Sequence, residues 1–452
     1  MSVSSPIDHL KKQQSSYISD LIKCLKIPSV STLEVHKPDI KRCADHVVEH
    51  LKSIGLCNVQ SFNNYGNPIL YAEHLNDPTY PTLLCYGHYD VQPVDPLDQW
   101  VSSPFDPMVD DEYIYARGAS DNKGMFYAQL KAVESYLKSN TPLHVNLKFI
   151  IEGEEEIGSH GLNRFLVDHE SLLAHDALLV SDNPMFSESQ PSVCTSVRGL
   201  IYLECNIRSM NHDVHSGQLG GGVPNLIHYV SDCIKSLKDP ITNKILIPGF
   251  YDGVSFDFKF DSDSNEAAKN LSFLNSFFNL GQHANSNFYQ NIWSLPTLDC
   301  NGIQSGFTEK GAKTVIPCEA MFKLSCRLVQ TQCPTKLFNL IKQYIEDFFP
   351  ESFVVDIKSI GPHARPMHVN ENDPFVQKAI HALNETHGIM PYIHGEGGSI
   401  PILAEFQSRF KTPVVLIGLN SPNDNIHAPN ERFKIDHYLK GIETYIRYFG
   451  SF

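Results

Sequence analysis

Leu83-Leu84-Cys85-Tyr86-Gly87-His88-Tyr89-Asp90 is an apolar run that ends on an imidazole and a carboxylate. The same arrangement recurs at Arg117-Gly118-Ala119-Ser120-Asp121-Asn122-Lys123-Gly124, at Glu152-Gly153-Glu154-Glu155-Glu156-Ile157-Gly158-Ser159 and at Ser181-Asp182-Asn183. Each places acidic or imidazole side chains at, or just past, the end of a strand-like segment. Such ends are where an α/β sheet builds its site. Ionised carboxylates gathered there repel one another and need protons or cations between them. A pair of divalent metals is the simplest source of that charge.

Working outward, 452 residues exceed what one hydrophobic core usually holds, and 42% hydrophobic residues suffice to fill two. A formal charge of -15 argues against nucleic acid or an anionic membrane as partner, since both need clustered Lys and Arg. Eleven cysteines without a Cys-x-x-Cys pair point to reduced thiols rather than a disulfide framework. Cys85 and Cys205 read as small core residues. Met1 to Pro28 has Lys and Gln inside its apolar pattern, so it is expected to be neither signal peptide nor membrane anchor, and the protein is expected to be cytoplasmic.

Helical spacing predicts helices through Leu10–Leu25 and Ile40–Ile54, the second stopping at Gly55. Ile69–Ala72, Thr82–Tyr86, Val145–Ile151 and Ala177–Val180 read as strands, with a helix from Met125 to Leu137 and a short one near Leu162–Val167. The proline-rich stretch between Asp90 and Arg117 is expected to cross the rim of the site as a loop. From Val197 the pattern changes. Ile201, Leu203, Cys205 and Ile207 alternate with polar neighbours, as do Phe322, Leu324, Cys326 and Leu328. Helices are expected around Leu226–Leu237 and Leu337–Phe348, and a last strand at Phe353–Ile357. Strand, helix, strands, helix, strand fits a split βαβ sandwich inserted in the larger domain. Asp239–Asn291 is aromatic, polar and aperiodic, with a turn at Asp261-Ser262-Asp263-Ser264-Asn265, and has no assigned function. After Pro366 the α/β pattern resumes, with a strand at Val414–Gly418 and a closing helix through Phe449. The expected division is 1–196 and 367–452 for the catalytic domain and 197–366 for the insert.

With these motifs laid out, the chain resembles the superfamily of acetylornithine deacetylase, succinyl-diaminopimelate desuccinylase and carnosine dipeptidases, nearest its carnosinase and cytosolic nonspecific dipeptidase branch. The likeness rests on His88-Tyr89-Asp90-Val91-Gln92-Pro93, Gly118–Gly124, Asp213-Val214-His215-Ser216-Gly217, Gly311–Pro317, Glu396-Gly397-Gly398-Ser399-Ile400-Pro401 and His427-Ala428-Pro429-Asn430-Glu431, six stretches in family order. It implies a zinc-peptidase type α/β catalytic domain, a mixed sheet flanked by helices, and an inserted ferredoxin-like α+β lid and dimerisation domain. It implies two zinc or manganese ions. Asp121 bridges them, His88 and Asp182 complete one side, and Glu156 and His427 the other. Such ions take imidazole and carboxylate ligands and leave a position for water.

From residues alone, any member of the Glu154–Glu156 triplet could be base or ligand. The family pattern Glu-Glu-x-Gly-Ser implies Glu155 as general base and Glu156 as ligand, with Glu154 left over. Asp90 is expected to receive the second ring N–H of His88. The resemblance also implies that His215 reaches the partner subunit's site of a homodimer to stabilise an oxyanion. Arg327 with Gly397, Gly398 and Ser399 would hold a substrate carboxylate, a sensible match for a guanidinium. The expected activity is cleavage of dipeptides or small peptides with a free C-terminus by metal-bound hydroxide. The alternatives are an N-acyl amino acid deacylase such as succinyl-diaminopimelate desuccinylase, or a catalytically dead scaffold. No implied ligand or base is missing from the chain. Most of its 21 histidines are ordinary, His46, His50, His144 and His160 among them.

Overall fold

The computed structural model describes residues 5–255, 264–361 and 363–452. Its larger sheet has nine strands. In spatial order they are Cys57–Phe62, Ile69–His74, Asn146–Glu152, Thr82–His88, Ala177–Val180, Val414–Gly418 and Ser192–Val197, with Met367–His368 and Tyr392–Glu396 both paired to the last. The four central strands run parallel, the flanking pairs mostly antiparallel. Both faces are covered, as the near-continuous apolar runs require. Leu83 and Cys85 point to a core closed by the helices Pro6–Leu25, Lys37–Ile54, Lys123–Ser139 and Ile435–Phe449. Leu84 and Tyr86 point the other way, toward the helices His160–Asp168 and Pro401–Phe410.

The helix Lys123–Ser139 is buried almost all round. It lies so close to the His88 strand that a Cβ on Gly87 would sit 2.4 Å from the Cβ of Phe126. No side chain fits between them, and this fixes where the turn before the helix, which carries Asp121, meets His88. Two lysines in it are fully buried. Lys123 Nζ donates to the Cys24 and Ile27 carbonyls, and Lys131 Nζ pairs with Asp20 and Glu134.

A second sheet of four antiparallel strands takes the order Thr297–Ser305, Glu319–Leu328, Gly199–Arg208, Val354–Ser359. The helices Leu226–Leu237 and Pro334–Phe348 pack on its apolar face through Ile201, Leu203, Cys205, Phe322, Leu324 and Cys326. This module is spliced between Val197 and Met367 of the large sheet.

The stretch expected to be a bare loop after Asp90 contains two short strands, Met108–Val109 and Tyr113–Tyr115. The second pairs with Arg432–Lys434, tying the rim to the segment after His427. The aperiodic region holds the helix Asn265–Phe278 and the start of the helix Phe288–Trp293, which runs two residues past Asn291. Of the turn expected at 261–265, Asp261 to Asp263 lie outside the described residues, and Ser264 caps the first of these helices. All eleven cysteines are free thiols, and among the described residues no helix is long and apolar enough to cross a membrane.

Candidate metal centre

Parallel strands deliver their following loops to one edge of a sheet. His88 is the last residue of its strand, and Asp182 stands just past Val180. Glu155 and Glu156 share one 3-10 turn after the strand Asn146–Glu152. Asp121 precedes the helix Lys123–Ser139, and its peptide bond to Asn122 is cis. His427 lies in the loop after Gly418 and adopts a positive φ of 60°, a region non-glycine residues seldom occupy.

These side chains converge on the Asp121 carboxylate. Its Oδ1 lies 3.1 Å from His88 Nε2, which is also 3.7 Å from Asp182 Oδ1. Its Oδ2 lies 3.0 Å from His427 Nε2, which is 3.3 Å from Glu156 Oε2. One aspartate thus faces two imidazole–carboxylate pairs, and each triad keeps its donor atoms within 4.8 Å of one another. Glu155 belongs to neither triad.

The loops are held by groups outside the triads. Glu431 is buried and accepts from Arg117 Nη1 at 2.8 Å and from the N–H groups of Gly118, Ser120 and Asp121 at 2.9, 3.0 and 3.0 Å. The His427 segment therefore shapes the Asp121 turn. Asn122 donates to Asp182 Oδ1 at 2.9 Å, and Gln92 to Glu156 Oε2 at 2.8 Å. His88 Nδ1 faces Asp90, but its hydrogen bond runs to the Asp90 backbone carbonyl at 3.1 Å, with the carboxylate at 3.4 Å. That carboxylate accepts the N–H groups of Glu155 and Glu156 at 3.3 and 3.2 Å, so Asp90 grips both loops. Glu154 turns away and accepts from the N–H groups of Asn67 and Gly161, each at 2.8 Å.

The electrostatics match such crowding. Burial alone would lower the His88 pKa, yet Asp121, Asp182 and Asp90 raise it well above the imidazole range. Asp121 and Glu156 push His427 up to about 10. Burial raises Glu155, with Asp182, Glu156 and Asp121 adding repulsion against the pull of His88. Burial likewise raises Glu156 and Asp182. Bound cations would offset the same repulsion.

The donor set fits two divalent cations. His88 Nε2 and Glu156 Oε1 are buried without a hydrogen-bond partner although oppositely charged groups stand close by. That is the state of ligand atoms aimed at an ion rather than at a proton donor. Three carboxylates and two imidazoles suit zinc or manganese. A third triad among the described residues, Asp20, His50 and Glu134, is already filled by the Lys131 ammonium.

The other expected site residues lie elsewhere. His215 is exposed on a two-stranded ribbon where the Asp213–Gly217 and Gly311–Pro317 stretches pair, His215 opposite Val315. Its Nδ1 accepts from Gly217 N–H, and its Nε2 lies 3.2 Å from Thr314 Oγ1. Arg327 Nη1 donates to Ser399 Oγ at 2.7 Å, which joins the strand Glu319–Leu328 to the Gly397-Gly398-Ser399 loop. Gln92, Asn122 and Glu431 were not singled out as functional from the sequence, although each sits in, or directly beside, a quoted motif.

Two cation positions on one shared carboxylate, set at the edge of an α/β sheet, define the class as a dinuclear metal-dependent hydrolase. Residues 84–450 match peptidase family M20/M25/M40, and the chain belongs to that metallopeptidase family. It is 30% identical to the Cys-Gly metallodipeptidase DUG1 of Candida albicans over 98% of this chain and 96% of that one. It is 32% identical to the human Beta-Ala-His dipeptidase over 84% of this chain and 77% of the relative. Among solved structures, the M20 family metallo-carboxypeptidase Sso-CP2 of Sulfolobus solfataricus superposes with a TM-score of 0.83 at 31% identity, covering 96% of this chain and 98% of that one.

Proposed function

We propose that the protein cleaves the peptide bond of dipeptides or similarly small peptides that carry a free C-terminal carboxylate. The observation that carries this reading is the Asp121 carboxylate with one oxygen toward each imidazole–carboxylate pair. The similar proteins named as dipeptidases support the substrate class. Asp121 is read as the bridging ligand, His88 with Asp182 and His427 with Glu156 as the outer ligands. When bound, the two cations supply the charge that acidifies a water and polarises the scissile carbonyl.

Glu155 is read as the general base, because Glu154 is engaged by two backbone N–H groups and Glu156 stands in a triad. Its carboxylate takes the proton of the attacking water and returns it to the leaving nitrogen. Asp90 orients His88 and fixes the Glu155 turn. Arg327, Gly397, Gly398 and Ser399 are read as the seat of the substrate carboxylate.

Residues 197–366 are read as a ferredoxin-like lid inserted in the catalytic domain of 1–196 and 367–452. The antiparallel order of its sheet and the two helices on one face support this. His215, exposed and remote in its contacts from its own triads, is read as serving the site of a second copy in a homodimer. The reduced cysteines suit a cytoplasmic protein.

The test is turnover of a dipeptide panel beside N-acyl amino acids after loading with zinc or manganese. Hydrolysis of dipeptides is the expected result. Efficient N-acyl hydrolysis with inert dipeptides would overturn the reading in favour of a deacylase.

A further inference from the structure

Arg198 sits where the chain passes from the large sheet to the small one, between Val197 and Gly199. It holds the Glu396–Ser399 loop by its backbone and its side chain. Its N–H donates to the Glu396 carbonyl at 3.2 Å, and its carbonyl accepts from Ser399 Oγ at 2.6 Å. Its Nε donates to the Gly397 carbonyl at 3.0 Å and its Nη1 to the Leu295 carbonyl at 3.3 Å. The loop is pressed against this guanidinium and the end of the helix Phe288–Trp293. A Cβ on Gly397 would stand 2.9 Å from the Ile292 carbonyl and 3.0 Å from Arg198 Nη2. The helix Phe288–Trp293, which begins at the end of the region without an assigned function and runs past it, thus forms part of the wall behind the Gly-Gly-Ser loop.

The Ser399 hydroxyl donates a hydrogen bond to the Arg198 backbone carbonyl and accepts one from Arg327 Nη1, so the loop ties the main chain at Arg198 to the Arg327 guanidinium. The charge is unbalanced as well. Among the described residues neither guanidinium has a carboxylate oxygen within 4.0 Å, and the nearby Glu396 is engaged by the Gly398 N–H at 2.8 Å. Glu396 and Asp299 act on both part-buried guanidiniums from a distance, but Asp299 is also paired with Lys238, so the cluster keeps positive charge in excess, which an anionic group of the ligand would satisfy.

We propose that Arg198 is a positioning residue for recognition of the substrate's free carboxylate: its guanidinium fixes Gly397, and with it the loop whose Ser399 hydroxyl Arg327 engages, and it adds a second positive charge behind Arg327. This rests on the peptidase reading above.

The test compares a dipeptide with its C-terminal amide on the metal-loaded enzyme, for the parent, Arg198→Met, Arg198→Lys and Arg327→Met. Arg198→Met should raise KM for the free dipeptide by roughly ten- to a hundredfold, the weight of lost hydrogen bonds from a charged group. kcat should hold and the amide should change little, so the preference for the free acid collapses. A merely structural role would depress both substrates alike, and that result overturns the proposal. Arg198→Lys keeps the charge without the planar fork and should raise KM by less; if Arg198→Met does not fold, an unchanged KM in the lysine variant overturns the proposal. If the parent shows no preference for the free dipeptide, the substrate reading fails. If the parent and Arg198→Met share a preference that Arg327→Met lacks, only the role of Arg198 falls.

Discussion

Replacing Glu431 should damage the centre more than any change of equal size at its surface. In Glu431→Ala four donors lose their acceptor at once: Arg117 Nη1 and the N–H groups of Gly118, Ser120 and Asp121. Arg117 is only 1% exposed, and its guanidinium would keep the Pro93 carbonyl, at 2.8 Å, as its remaining hydrogen-bond acceptor. Breaking a buried ion pair from one side costs about 3–5 kcal/mol, because a charge stays behind unpaired. The orphaned N–H groups add to this, though not independently, since they lie in one turn. Glu431→Gln preserves shape and part of the acceptor capacity and should fall in the lower half of that range. As the turn carries Asp121, affinity for the cations should drop about ten- to a hundredfold, as when outer partners of ligands are removed. Trp100 lies 5.4 Å from the Arg117 guanidinium, so its fluorescence reports the site during urea unfolding, and calorimetric titration with zinc reports the affinity. A Glu431→Ala protein within about 1 kcal/mol of the parent, below the cost of any buried pair broken from one side, and with unchanged zinc affinity, would refute this account of the loop.

Glu155→Gln should retain its metals by elemental analysis while kcat falls by about a hundredfold or more, as loss of a general base requires; undiminished turnover removes Glu155 from the chemistry. Glu154→Ala should do the reverse, lowering stability by about 1–3 kcal/mol for two abandoned N–H groups while kcat stays near the parent's, which thermal melts and kinetics together would decide. His215→Ala should fold and load metal normally yet lose roughly a hundredfold or more in kcat, as for a missing oxyanion donor. Mixing it with Glu155→Gln should restore part of the activity if the histidine serves a second copy, and no recovery from a mixed dimer would count against that arrangement. Chelation should lower the melting temperature, because a ligand at about a hundred times its Kd contributes about 2.7 kcal/mol to the folded state; an unchanged melt would mean the triads hold no cations.

Part of the centre was legible because strand ends announce themselves, while the full ligand set, His427 included, came only with the family resemblance. His88 and Asp182 each follow an unmistakable apolar run, and parallel pairing then brings them together, whereas Asp121 stands in the turn before the helix Lys123–Ser139 instead of at a strand end. The triplet could not be resolved by the same means. A 3-10 turn advances about 120° per residue, so three adjacent carboxylates point to three places, and only the folded loops say which. Glu431 and Gln92 escaped notice because their function depends on facing loops distant in the chain. The rim strands Met108–Val109 and Tyr113–Tyr115 are too short to carry a period. Thr297–Ser305 was hidden by a bulge between Cys300 and Gly302 and by its largely exposed edge position. The helix Asn265–Phe278 leaves Phe273, Phe277 and Phe278 exposed, which erases the amphipathic signature that would have revealed it.

The order of these groups along the chain bears on biosynthesis. His88, Asp121, Glu156 and Asp182 are translated before the spliced module, whereas His427, Glu431 and the helix Ile435–Phe449 that seals the core come after it. A growing polypeptide leaving the ribosome therefore exposes several acids long before the imidazole and the loop clasp that complete their cage. Completion of the second triad is by this arrangement a late event, coupled to closure of the fold, whereas the residues of the first are all present before the spliced module is made.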